Sequence, residues 1–295
     1  MGKASRNKRL NARERIAAQR EAARRAERRR TMFIAGGSVL GVLVVVVGFI
    51  VFALTRSSPG SGSSGRTALP ASVTQNVTNV PASTLSAIGK GSVPTYNSAP
   101  VSPIAGTPLV SQGKPEMLYI GAEFCPYCAA MRWSMAVALS RFGTLSTPLF
   151  GIHSSSSDVF PSTSTLTFYK TGYTSKYLAF TPVENLTVSK QLLQAPTKQQ
   201  NQIWARYEPD PNTRGYPFID FANKFLIKTP IYDPAVLKGL TWSQIATAMH
   251  NPASPVAQGV DGAANYITAA ICKTTNNQPA AVCNAPTIQT LAGGL

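Results

Sequence analysis

"GAEFCPYCAAM", residues 121–131, sets Cys125 and Cys128 three positions apart in a chain of 295 residues that holds four cysteines. The run before it, "EMLYIGAEF" (116–124), is apolar and reads as a buried strand that ends in a turn. "CPYCAAMRWSMAVALSRF" (125–142) follows with helical spacing of Met131, Met135 and Leu139, and Gly143 stops it. Cys125 therefore falls just after a strand and Cys128 in the first turn of a helix. Pro126 suits a first helical position because it has no N–H to lose. A helix N-terminus presents unpaired N–H groups and a partial positive charge, and both stabilise a thiolate, the reactive form of cysteine. The spacing makes one sulfur exposed and acidic and puts the other one turn away, within reach of a mixed disulfide on it. Three readings remain open on these residues alone: a redox pair, half of a metal site completed by Cys272 and Cys283, or an inert staple.

The compartment bears on the choice. Residues 32–54, "MFIAGGSVLGVLVVVVGFIVFAL", carry no charge over 23 residues. As a helix they reach about 35 Å, enough for a ~30 Å hydrocarbon core. The run is longer than a signal peptide's apolar region and no cleavage site follows, so it reads as an uncleaved transmembrane helix. Residues 1–31 hold 12 Lys or Arg and three Glu, which keeps the N-terminus cytoplasmic and sends the rest of the chain outside. Much of the net charge of +16 is thus a topology signal. The basic tail also suits contact with anionic lipid, a better fit than nucleic acid, which is not expected as a partner. The Ser/Gly run "RSSPGSGSSGR" (56–66) begins a flexible linker assigned to residues 55–74, and the extracytoplasmic domain is assigned to residues 75–295.

Within that domain, "PASTLSAIG" (81–89) has helical spacing, and "PLFGIH" (148–153) reads as a strand. "TLTFYKTGYTSKYLAFTPV" (165–183) reads as two strands around a turn, and "PTKQQNQIWARYE" (196–208) as a helix started by Thr197 or its neighbour. "YPFIDFANKFLI" (216–227) reads as a hairpin with an Asn-Lys turn, and Thr241 with Gln244 as a capping box. A last helix is expected over "SPVAQGVDGAANYITAAICK" (254–273), broken or kinked near its glycines. The order predicts an α/β sandwich built on one sheet. In an oxidising compartment Cys272 and Cys283, with ten residues between them, are expected to form a structural disulfide. Trp133, Trp204 and Trp242 are expected as core anchors. His153 and His250 have no visible partner, and Asn76 and Asn185 match the N-glycosylation pattern.

"GAEFCPYC" after a strand, with "GYPFIDF" downstream, resembles the thioredoxin-like superfamily. The outer domain also resembles an uncharacterised family of membrane-anchored thioredoxin-like proteins from actinobacteria and archaea. The resemblance implies a thioredoxin-like sandwich, with an insertion near residues 155–210 between the Cys-Pro-Tyr-Cys helix and the cis-Pro strand. It makes Cys125 the nucleophile and Cys128 the resolving thiol. It places a cis Pro217 beside them, with the Tyr216 backbone free to bind substrate. It departs from the superfamily at Tyr119, where thioredoxin itself has an acidic residue, while Glu123 is expected to face outward. The function expected is thiol–disulfide exchange with exported protein thiols or disulfides, coupled to a membrane or extracytoplasmic redox partner. No cofactor and no metal are expected. The competing expectation is a non-catalytic module that binds a partner or peptide.

Overall fold

The computed structural model describes residues 65–295. The expected basic tail (1–31), the transmembrane helix (32–54) and the first part of the linker lie outside the described residues. Among the described residues no helix is long and apolar enough to cross a membrane.

The chain opens with strand β1 (Thr67–Ala68) and helices α1 (Ala71–Thr78), α2 (Ala82–Ile88) and α3 (Val93–Tyr96). Strands β2 (Ser102–Pro103), β3 (Val110–Ser111) and β4 (Lys114–Gly121) lead to helix α4 (Pro126–Ser140). Five strands follow: β5 (Gly143–Leu145), β6 (Phe150–His153), β7 (Ser164–Thr167), β8 (Tyr173–Ser175) and β9 (Ala179–Glu184). Helix α5 (Lys198–Tyr207), the hairpin β10 (Phe218–Phe221) and β11 (Phe225–Ile227), and helices α6 (Trp242–Ala248), α7 (Pro255–Thr274), α8 (Ala280–Cys283) and α9 (Pro286–Gly293) complete it.

The main sheet runs β2-β11-β10-β4, with β9 parallel to β4 and β3 paired to the first residues of β4. Each residue of β4 from Glu116 to Gly121 is in register with one of β9, and Met117–Ile120 are also in antiparallel register with β10. Successive side chains of a strand point to opposite faces. Met117 and Tyr119 accordingly join Ile219, Phe221 and Ile227 in the larger core, while Leu118 and Ile120 join Phe218, Leu226 and Trp204 on the other face. Helix α4 is buried along nearly its whole length, the condition under which a helix tolerates apolar residues on every side. The result is a mixed α/β architecture with helices on both faces of the sheet.

Several expectations change. The folded unit begins before residue 75, because β1 pairs with β6 and Leu69 and Val73 are buried. Segment 165–183 forms strands in three different sheets rather than one hairpin, since β7 pairs with β6, β8 with β5, and β9 with β4. Residues 155–210 are not one insertion, because β9 is a full member of the main sheet. The hairpin turn centres on Ala222 and Asn223, both with positive φ, rather than on Asn-Lys. Helix α7 runs unbroken through Gly259 and Gly262, whose missing side chains admit the Tyr232 ring and the Lys90–Gly91 backbone. The helices expected over 81–89 and 196–208 are present, and Thr197 and Thr241 both make capping boxes.

Cys272 and Cys283 are joined in a disulfide, with Cα atoms 5.6 Å apart, tying the end of α7 to α8. Closing a loop of this length stabilises by about 2–3 kcal/mol in the chain-entropy account.

One buried acid in α7 has no bonding partner. Asp261 is fully buried, both its carboxylate oxygens lack a hydrogen bond, and burial pushes its pKa up to about 8. An unfolded Asp titrates near 4. The folded state therefore binds the proton more tightly, and stability falls as pH rises from roughly 4 to 8. Asp261→Asn removes that penalty. Its melting temperature should match the wild type near pH 4, exceed it by a growing margin up to pH 8, and hold level above. Thermal melts across that range check this, and a pH-independent difference would refute it.

Candidate functional site

The loop after β4 delivers Cys125 to the N-cap of α4, with φ −74° and ψ 121°. Its sulfur accepts a hydrogen bond from the Cys128 backbone N–H at 3.3 Å. Its S–H points to the Tyr216 carbonyl at 3.7 Å, across the turn that enters β10. The peptide bond between Tyr216 and Pro217 is cis. In sequence Cys125 and Tyr216 are 91 positions apart, and the sheet register of β4 with β10 brings the two pairs together. Cys125 keeps 5% of its surface exposed, whereas Cys128, one turn further on, is fully covered.

The two thiols differ in acidity for physical reasons. The Cys125 pKa is lowered, first by a hydrogen bond from the Cys128 thiol, and then by the N–H groups of Cys128 and Tyr127 and the charge of Arg132, against burial, which raises it. The Cys128 pKa is raised well above the ordinary thiol value, first by burial and then by Cys125 itself. The pair thus gives up its first proton from the sulfur nearer solvent.

Beneath the pair lies an ion pair that sequence reading missed. Arg132 is fully buried; its Nε and Nη2 donate to Glu184 Oε1 and Oε2 at 2.8 and 2.6 Å, and Nη2 also donates to the Ala122 carbonyl at 2.8 Å. Helix, β9 and the end of β4 are so pinned at one point. The signal was present: Arg132 is the one charged residue in an otherwise apolar helix, four positions after Cys128 and so on the same face. Glu184 is in register with Gly121, but only sheet pairing reveals that. Gly121 is required where it stands, because a side chain there would occupy the place of the Tyr119 phenol. Glu123 faces inward rather than outward: its carboxylate accepts from Thr167 at 2.8 Å, and burial, partly offset by that bond, raises its pKa.

Two loops flank the motif. Ser155 N–H bonds the Phe124 carbonyl at 2.9 Å, and Phe160 meets Tyr127 edge-on. On the other side Glu123 N–H bonds the Leu186 carbonyl at 2.8 Å, and Lys190 sits over the Phe124 ring. Val159 and Leu192 stand 66% and 67% exposed in these loops. Tyr216 packs edge-on to Phe124 and against Trp204, and its hydroxyl donates to Asn185 at 2.5 Å. Asn185 also gives its amide to the Gln194 carbonyl, so this half-buried side chain is engaged in structure. Asn76 is half-buried on α1, and its carbonyl is bonded by His250. His153 stacks on Trp242. Neither histidine is bonded to the cysteines. Trp133 and Trp204 are core anchors as expected, Trp133 bonded to the Ser164 carbonyl and Trp204 packed against Tyr216, while Trp242 is half-buried and bonded to the Thr165 carbonyl. Cys272 and Cys283, spent on each other, are not available to complete a metal site with Cys125 and Cys128.

Residues 101–273 match the model of a family described as a domain of unknown function (DUF929), and the chain belongs to that family. No curated protein and no solved structure matches the chain.

The environment of the two sulfurs predicts their reactivity. In the reduced protein a small alkylating agent should modify Cys125, with a pH midpoint below the ~8.5 of a free cysteine. Cys128 should react only after unfolding. Peptide mapping by mass spectrometry at graded pH reads both, and equal labelling of the two thiols would contradict the assignment.

Proposed function

We propose that this chain is a membrane-anchored, thioredoxin-like thiol–disulfide oxidoreductase that acts on exported proteins. The observation that carries the reading is the placement of Cys125: at a helix N-cap, its sulfur bonded by the Cys128 N–H, directly below the Tyr216 carbonyl. The sheet order supports it. A strand that leads into the cysteine helix, paired with a strand entered through a cis Pro217 beside the cysteines, fits what the resemblance implies. The anchor and the outward orientation rest on the uncharged run at 32–54 and the 12 basic residues before it.

The chemistry is a pair of exchange steps. Cys125 thiolate attacks one sulfur of a substrate disulfide, forming a mixed disulfide and releasing the other sulfur as a thiolate. Cys128 then forms a bond to Cys125, and the remaining substrate sulfur leaves as a thiol. Run backwards, the same steps pass the Cys125–Cys128 disulfide to a substrate dithiol. Tyr216 Oη is fixed by Asn185, which holds its backbone in place over Cys125. An extended substrate segment can lie along that backbone. The exchange calls on no cofactor or metal, and a membrane or extracytoplasmic redox partner returns the pair to its starting state. The basic tail is suited to anionic lipid.

Replacing the resolving thiol tests this. Cys128→Ser should accumulate disulfide-linked adducts with exported proteins in cells, visible as bands that collapse on reduction. Cys125→Ser should give none. Equal trapping by both variants, or by neither, would refute the assigned roles, and the second result would favour a non-catalytic binding module.

A further inference from the structure

Two buried hydrogen-bond donors beside Cys128 have nothing to bond. Arg132 spends its Nε and Nη2 on Glu184 and the Ala122 carbonyl, while Nη1 has no partner. The Tyr119 hydroxyl is fully buried, has no oxygen or nitrogen partner, and lies close enough to the Cys128 thiol to interact with it. Buried donors left unbonded are uncommon in folded proteins and call for an acceptor. The thiol is a poor acceptor, but the thiolate is a strong one. The Tyr119 hydroxyl therefore meets a group that can accept from it fully only after that group loses its proton, and Arg132, one helical turn after Cys128, adds a charge that favours the loss.

We propose that Arg132 and Tyr119 are positioning residues that hold the Cys128 thiolate during the resolving step, with Glu184 fixing the guanidinium in place. The inference rests on the oxidoreductase reading above. In the mixed disulfide Cys125 no longer carries charge, so a negative charge can form on Cys128. Cys128 loses its proton, and its sulfur lone pair bonds to Cys125. The bond from Cys125 to the substrate sulfur breaks, its electron pair leaves with the substrate, and the substrate sulfur takes up a proton equal to the one released. No outside oxidant or acid enters. Until then, burial and the neighbouring Cys125 keep Cys128 protonated, while of the buried ion pair it is the guanidinium whose charge pulls the other way. The ionisable groups around Cys128 are Cys125 and Arg132 on α4, Tyr119 on β4, Glu184 on β9, Glu123 in the turn between β4 and α4, and Tyr216 before β10.

The test uses the reduced full chain and an aryl disulfide whose released thiolate is coloured. Attack by Cys125 releases the first equivalent, and closure by Cys128 releases the second. Tyr119→Phe removes only the unbonded hydroxyl, so its melting temperature and first release should match the wild type. Its second release should slow by about tenfold or more at pH 7, and the pH midpoint of closure should rise by about one unit, because the charged form loses a donor. Arg132→Lys, which keeps a charge but not the planar fork, should slow closure as well. A Tyr119→Phe protein with normal first release and wild-type closure across pH would overturn this inference alone. Absence of the first release in the wild type would overturn the oxidoreductase reading and this inference with it.

Discussion

The buried pair Arg132–Glu184 is the constraint on which the site depends. It joins the middle of α4 to the end of β9, and through the Ala122 carbonyl to the end of β4. Those are the elements that aim the cysteine turn. A charge pair taken wholly out of water repays its desolvation only with close geometry and further hydrogen bonds, and removing one partner of such a pair costs about 3–5 kcal/mol. Here the fork geometry is present, yet one edge of the guanidinium is unbonded, at a further cost of about 1–3 kcal/mol or more for a charged group. An apolar pair of similar volume would hold the three elements together without that cost. The unbonded edge calls for an acceptor, and Cys128 is the ionisable group that α4 carries on that face.

From this point the asymmetry of the two sulfurs follows. The helix start supplies N–H groups to Cys125 and the fold leaves it a small opening to solvent. Cys128, one turn inward, is fully buried in a cluster with Ala122 and Cys125 against which Tyr127, Leu186 and Tyr216 pack. The same helix that creates a reactive end buries its partner. The flanking loops at 154–163 and 185–194 bring Phe160 against Tyr127 and Leu186 against the cysteine cluster, beside Phe124.

The sequence carried the strand–turn–helix around Cys125 and Cys128, because hydrophobic periodicity and a proline at the helix start are local signals. It also carried the Thr241–Gln244 capping box, whose residues are three positions apart, and the helix start near Thr197. What it concealed was non-local. The pairing of β9 with β4 links residues some sixty positions apart in register, and without it 165–183 looks like two strands around a turn and nothing marks Glu184 as the partner of Arg132. Glu123 was misread for the same reason: its partner Thr167 is 44 positions away. The glycines of α7 read as breakers because composition does not say what packs against them. The Tyr232 ring and the Lys90–Gly91 backbone do, so the small residues are a packing requirement.

On the proposed function Cys125 and Cys128 form a reversible redox couple. The decisive experiment equilibrates the full chain in glutathione buffers of graded potential and counts free thiols at positions 125 and 128. A reversible couple gives a single two-electron transition in which both thiols vanish together into an intramolecular disulfide, while Cys272 and Cys283 stay linked throughout. Independent titration of the two thiols, or no 125–128 disulfide at any potential, would contradict it.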